Sequence, residues 1–230
     1  MPSSPDSIAV IGSGTMAADI AALFAARGNP VHVVARPGKT FDSLPQRVAK
    51  SAAQLGADSA ALDVHRTSEI DAIPWRDVVL AIECVKEDLS LKQKLFAQLE
   101  KCARAETALA SNSSGFPISI IGDGLTSRSR MLGLHFFMPA HLVPLVEVVL
   151  SDQTDPAVAR AVFDRMTAIG CKPVLVKRDI PGFLANRLQH ALMREAWSLI
   201  DRGIASPEDI DKAVRFGFGF RYVAAGPVLQ

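Results

Sequence analysis

Residues 7–17, SIAVIGSGTMA, constrain the fold more than any other stretch of the chain. A short apolar, β-branched run stops at glycines, which is the pattern of a buried parallel strand. Gly12-x-Gly14-x-x-Ala17 follows at once, and an Ala-rich helix over residues 15–27 opens from it and ends at Gly28. In this strand–turn–helix setting the first glycine permits the tight turn and the second lets backbone approach a pyrophosphate. The small third position allows close packing of the helix. The helix N-terminus then faces the anion, so Gly12, Gly14, Thr15, Met16 and Ala17 are expected to hold a dinucleotide. The competing reading is a glycine turn in some other doubly wound sheet.

Strand and helix patterns alternate down the chain. PVHVVAR, ALDVHRTSEI, DVVLAIECV, TALASNSS, MLGLHFF, PLVEVVLS and KPVLVK read as further strands. Asp88 can cap LSLKQKLFAQLEKC, whose Leu91, Leu95, Leu99 and Cys102 repeat on one helical face. Asp155 and Pro156 form an N-cap followed by proline at the first helical position. This order predicts an α/β fold over residues 1–186, a Rossmann-type, doubly wound, mostly parallel sheet. From Pro181 the character changes. GFLANRLQHALMREAWSLIDRG is a long helical pattern, and SPEDIDKAVRFG starts another with Ser206 as cap. The start of an all-helical C-terminal domain is therefore expected over residues 187–230. Two helices bury little core, so that domain is expected to be truncated, or completed by a partner chain.

Composition excludes several functions. The chain is 49% hydrophobic and 21% charged with net charge +1, and its Lys and Arg are spread rather than bunched, which argues against a nucleic-acid surface. No stretch has the apolar length to span a bilayer. Cys84, Cys102 and Cys171 form no CxxC pair and read as reduced, mostly buried thiols with no metal role. The opening MPSSPDS has neither a basic region nor an apolar core of signal length. It reads as a short disordered lead-in, and a cytoplasmic location is expected.

GLHFFMPAHLVPLVEVV, residues 133–149, places His135 and Glu147 in apolar, strand-like surroundings. They are too far apart to be neighbours on one helix, so two segments must converge, as at a sheet edge. A lone histidine of this kind is ordinarily a buried one with a hydrogen-bond partner. The nucleotide type is also open. In NAD-binding sheets the second strand ends in a carboxylate that accepts from the ribose hydroxyls. Here it ends VVARPGK, and Arg36 with Lys39 either faces a 2′-phosphate or is a pair of solvated loop cations. NAD is expected, with NADP possible.

ECVKEDLSLK, SNSS, GLHFFMP followed by LVEVV, and PGFLANRL occur in an order and near a spacing that resemble the L-3-hydroxyacyl-CoA dehydrogenase family. The resemblance extends to relatives that act on 3-hydroxybutyryl-CoA, free hydroxy acids and carnitine-like compounds. It implies a reacting centre of Ser114, His135, Glu147 and Asn186. His135 would take the hydroxyl proton and Glu147 would fix its tautomer. Ser114 and Asn186 would hold the substrate oxygen. It further implies that Ser114, Glu87 and Lys92 contact the cofactor, against the alternative that Glu87 and Lys92 sit on a solvated helix start. It also implies an acyl-CoA substrate and a homodimer of the full-length protein. The sequence departs from the family in three places. Met138 stands at a cofactor-contacting position where the family usually has asparagine. The carboxylate after the second strand is missing. The segment between Arg36 and the fourth strand is shorter than the helical hairpin that helps hold CoA in the acyl-CoA enzymes, and its cations are Lys39, Arg47 and Lys50. These departures keep two other readings alive: a dehydrogenase of a free small hydroxy acid, and a non-catalytic dinucleotide-binding relative.

Overall fold

The structure is a computed structural model and describes residues 6–229, so most of the expected disordered lead-in lies outside the described residues. Contacts divide the chain into two compact units, Met1–Phe183 and Leu184–Gln230.

The first unit is built on the strands β1 (Ser7–Ile11), β2 (Val31–Val34), β3 (Val64–Thr67), β4 (Val78–Glu83), β5 (Ala108–Ser111), β6 (Met131–Phe136), β7 (Leu145–Val149) and β8 (Lys172–Val176). They form one eight-stranded sheet in the order β3-β2-β1-β4-β5-β6-β7-β8. Every neighbouring pair is parallel except β6 and β7. Each strand corresponds to one expected from the sequence, and the doubly wound, mostly parallel sheet is the expected fold.

Its core follows from the two-residue period of a strand. Ile8, Val10, Val33, Leu80, Ile82, Leu132 and Leu134 face one side. Over them lie α1 (Thr15–Ala25), α3 (Leu44–Gln54) and α6 (Pro156–Ala168), and the short α2 (Lys39–Asp42), which buries no residue, precedes α3. Their alternates Ala9, Ile11, Ala81, Leu109 and Met131 face the other side and pack on α4 (Leu89–Cys102) and α5 (Ile118–Ile121). Burial on both faces explains why the strands read as continuous apolar runs. α1 is buried from Ala17 to Ala25, and its alanines let it lie close to the sheet.

The expected caps are formed. Asp88 accepts from Leu91 N, Asp155 from Ala157 N and Ser206 from Asp209 N. The buried face of α4 is Lys92, Leu95, Phe96 and Leu99, whereas Leu91 and Cys102 are only half-buried. α3 was not anticipated: its start is rich in Pro, Gly and Ser, yet Leu44, Val48, Ser51 and Ala52 recur at helical spacing and are buried.

Two expectations need correction. His135 and Glu147 do not lie at a lateral sheet edge, because β8 continues the sheet beyond β7. Of the cysteines only Cys171 is buried, with Cys84 and Cys102 half-buried and all three free.

The second unit contains α7 (Ala185–Asp201), α8 (Pro207–Ala213), a π-helical turn over Val214–Phe218 and α9 (Gly219–Tyr222). Among its described residues none is buried. Among the described residues of the chain, no helix is long and apolar enough to cross a membrane.

Phe24 is fully buried between α1 and the sheet. Phe24→Ala is expected to lower unfolding stability by about 3–5 kcal/mol, measured by denaturant titration.

Candidate functional site

In a parallel sheet the crevice used for ligands lies outside the carboxyl ends of the strands, where the order reverses. Here that point is between β1 and β4: β2 and β3 lie to one side of β1, and β4 onward to the other. The glycine turn stands at this reversal. Gly12 has φ +132°, and a Cβ there would lie 2.6 Å from the Cys84 carbonyl oxygen, so no other residue fits. Gly14 N-caps α1 with no side-chain cap, and a Cβ on it would meet nothing within 4 Å. Thr15 is exposed, Met16 half-buried and Ala17 fully buried. The turn thus presents bare backbone and an uncapped helix N-terminus, the arrangement that suits a dinucleotide pyrophosphate. Arg47 braces it from α3, donating from Nη2 to Ser13 O (2.6 Å) and from Nη1 to Gly14 O (3.1 Å).

Polar side chains then line the neighbouring strand ends, all on the α4 face of the sheet. Glu83 ends β4 and is fully buried. Its Oε1 accepts from Lys92 Nζ and from Val85 N, both at 2.7 Å, and its Oε2 accepts from Ser111 Oγ at 2.7 Å. Lys92 is only 1% exposed and also lies 3.2 Å from Glu87 Oε2. This rules out the solvated helix start for Lys92. Glu87 in turn accepts from Ser113 Oγ and from Gly115 N. Burial by itself raises the Glu87 pKa, but the hydrogen bonds from Ser113 and Gly115 and the charge of Lys92 outweigh it and leave it below the ordinary value. Burial and the adjacent Glu83 push the Cys84 thiol well above its ordinary value, so it stands as a neutral thiol.

β6 and β7 supply the remaining groups. Their antiparallel register sets His135 directly opposite Glu147. Both side chains are buried, and Nδ1 lies 2.7 Å from Glu147 Oε2. Ser114 Oγ, from the loop after β5, lies 3.0 Å from His135 Nε2. A carboxylate can only accept, so Nδ1 carries the hydrogen, and Nε2 is the ring nitrogen that faces Ser114. Phe137 stands edge-on to the imidazole at 4.6 Å and Phe183 tilts over it at 5.5 Å. Phe183 holds φ +48°, a left-handed backbone rare for an aromatic residue. Such strain persists only where the surroundings over-determine it, here by complete burial of the ring.

The structure therefore brings together Ser114, His135 and Glu147, with Glu87 and Lys92 one loop away. Asn186 lies in the first turn of α7 in the second unit and is half-buried. Arg36 is exposed just beyond β2, and Met138 is 70% exposed. Glu83, Ser111, Ser113, Phe137 and Phe183 have no role assigned from sequence, and Arg47, a candidate cation for phosphates, is instead tied to the backbone of the glycine turn. Glu83 left a signal, as the carboxylate ending the apolar run VVLAIE. Among the described residues no group of His, Cys, Asp and Glu is placed to hold a metal ion.

Comparison with known proteins gives two family matches. The model described as 3-hydroxyacyl-CoA dehydrogenase, NAD binding domain, matches residues 7–180, and that of the C-terminal domain of 3-hydroxyacyl-CoA dehydrogenase matches residues 182–229. The chain is 34% identical to 5-formyl-3-hydroxy-2-methylpyridine 4-carboxylate 5-dehydrogenase of Mesorhizobium japonicum, over 96% of this chain and 73% of that protein. It is 36% identical to the human mitochondrial hydroxyacyl-coenzyme A dehydrogenase, over 93% of this chain and 72% of that protein. A solved structure of a 5-formyl-3-hydroxy-2-methylpyridine 4-carboxylic acid 5-dehydrogenase, an NAD+-dependent dismutase, superimposes with TM-score 0.86 at 31% identity, over 98% of this chain and 74% of that one.

Lys92→Met removes the cation that compensates the buried Glu83. It is expected to cost about 3–5 kcal/mol in denaturant unfolding, since the carboxylate stays behind unpaired. A loss below about 1 kcal/mol would mean that Glu83 takes up a proton or reaches water when Lys92 is gone.

Proposed function

The chain belongs to the 3-hydroxyacyl-CoA dehydrogenase family, and from that premise we propose that it oxidises the 3-hydroxyl of an acyl-CoA thioester to the ketone, and the reverse. It is an oxidoreductase of the dehydrogenase type, and the domain that carries the glycine turn is an NAD-binding domain. The observation that carries the finer reading is the hydrogen-bonded line Ser114–His135–Glu147, held at the strand ends on the same side of the sheet as the glycine turn.

NAD supplies the acceptor for the hydride leaving C3 of the substrate. The chain's own residues handle the proton and the geometry. His135 Nε2 takes the hydroxyl proton as the carbonyl forms, and Glu147 stabilises the resulting imidazolium through Nδ1. In the reverse direction the same nitrogen returns the proton. Ser114 Oγ holds the substrate oxygen close to Nε2. Phe137 and Phe183 keep water from the ring, which strengthens the His135–Glu147 interaction. Gly12 and Gly14 admit the pyrophosphate, and Lys92 with Glu87 lies along the cofactor side of the loop that carries Ser114. A homodimer through the helical unit is part of this reading. The exposed Leu188 and Leu192, one turn apart on α7, support it.

A second reading keeps the reaction and replaces the thioester with a free small hydroxy acid. It is favoured by the short connection after β2, where α2 and α3 take the place of a long hairpin. The Arg47 guanidinium is already committed to backbone carbonyls there, leaving Lys39 and Lys50 for CoA phosphates.

Oxidation of NADH by acetoacetyl-CoA is expected in an absorbance assay. His135→Ala is expected to reduce kcat by about 10²–10⁴-fold with little change in NADH affinity. Glu147→Gln is expected to fall in the same range, because its amide can donate to Nδ1 and reverse the tautomer. Turnover of acetoacetate without the thioester would select the second reading. Full activity in His135→Ala would overturn the proposed base.

A further inference from the structure

The glycine turn, the end of β2 and the segment 38–43 meet at one corner of the nucleotide cleft, and that corner is basic. Gly12 N donates to Val34 O at 2.7 Å and Ala35 N to Thr67 O at 3.1 Å, so the backbone is pinned up to the residue before Arg36. Arg36 is exposed and makes no hydrogen bond or ion pair among the described residues. Arg47 does not wave in solvent: besides Ser13 O and Gly14 O, its guanidinium donates to Thr40 O and to Ser43 Oγ (3.3 Å). Arg66 reaches over from β3 to donate to Phe41 O at 2.8 Å and Asp42 O at 3.2 Å. Both of these arginines end on neutral carbonyls, so their charge is fixed in place and no described carboxylate pairs with it. Lys39 adds a further exposed cation. The acids nearby in sequence are Asp42, exposed on α2, and Glu69, which accepts from Ser68 Oγ at 3.3 Å. Neither stands at the end of β2, where a ribose-binding carboxylate would be. Ser13 Oγ and Thr40 Oγ1 lie 2.8 Å apart across the mouth of the corner, joining the glycine turn to the segment after β2.

From this arrangement we infer that the corner is a phosphate subsite: the cleft accepts a phosphate on the adenosine ribose, so that NADPH and NADP+ bind at least as tightly as NADH and NAD+. The inference rests on the reading of the cleft as a dinucleotide site. Arg36 is the specificity-determining residue, because its planar fork matches a phosphate and no described residue engages it. The Ser13 and Thr40 hydroxyls can turn outward to donate to phosphate oxygens. The fixed charges of Arg47 and Arg66 set a positive potential behind them. A carboxylate after β2 would repel the same phosphate, so its replacement by Ala35 and Arg36 removes the barrier and supplies the attraction.

Equilibrium titrations on the full chain test this without turnover. NADH and NADPH are followed by their fluorescence, and 5′-AMP and adenosine 2′,5′-bisphosphate by calorimetry. The expected result is an NADPH Kd at or below that of NADH, and a bisphosphate bound at least about tenfold more tightly than 5′-AMP. Arg36→Ala should weaken NADPH and the bisphosphate by about tenfold while leaving NADH and 5′-AMP within about twofold. Arg36 is exposed and unpaired among the described residues, so the variant should fold, and its circular dichroism should match the parent's. NADH binding with NADPH much weaker, or an equal loss of both in Arg36→Ala, overturns the phosphate subsite and leaves the dehydrogenase reading intact. Failure of both dinucleotides to bind overturns the two together.

Discussion

A carboxylate with no access to water has to be answered by a partner at hydrogen-bond distance, and the site is arranged around one such demand. Glu147 is fully buried in the middle of β7, and its answer is the His135 imidazole across the strand pair. Leaving that carboxylate unpaired would cost several kcal/mol. The cross-strand register is what makes the answer available: directly opposite side chains on one face lie about 5 Å apart at Cβ. A slip of one residue would turn Glu147 to the other face, into the aliphatic layer under α1 and α6. The apolar neighbours Val146 and Val148 hold the register, and the register holds the acid against the base.

A buried ion pair does for the nucleotide side what the His135–Glu147 contact does for the proton. Lys92 comes from α4, Glu83 from the end of β4, and Glu87 from the connection between them. Ser111 and Ser113 join the same network from β5 and the loop after it. The loop that presents Ser114 to His135 is thereby tied to the strand that supports the glycine turn, since Cys84 N donates to Ile11 O at 2.8 Å. A polar network of this sort rigidifies only when each member is satisfied. Each Glu83 oxygen has at least one donor, and the Lys92 ammonium has both carboxylates.

What could be read from the sequence depended on whether the signal was local. The glycine turn was legible because strand, turn and helix are contiguous and each glycine has its own steric reason. The six central strands were legible because burial on both faces leaves apolar runs between turns, whereas the edge strands β3 and β8 are partly exposed and were legible from the alternation of strands and helices around them. His135 and Glu147 stood out as polar residues in such runs, but their partnership came from resemblance, since a separation in sequence carries no register. The Lys92 environment was hidden, because lysine on a helix is exposed far more often than not and only the position of Glu83 reverses that. α3 was hidden by the Pro and Ser at its start. Phe183 lies within the PGFLANRL stretch, but its place beside the imidazole was hidden, because it depends on a left-handed turn at a residue type that rarely adopts one.

The antiparallel step between β6 and β7 has a bearing on how the molecule comes together. His135 and Glu147 are separated by 12 positions and joined by a single hairpin. Ser111 reaches Glu83 over 28 positions and Arg47 reaches Ser13 over 34. In contact-order terms the proton-handling couple is among the most local features of the site, and the nucleotide corner is the least local. The base is thus set against its acid by a closure that is entropically cheap, whereas the cofactor's seat must wait for distant strands to find each other.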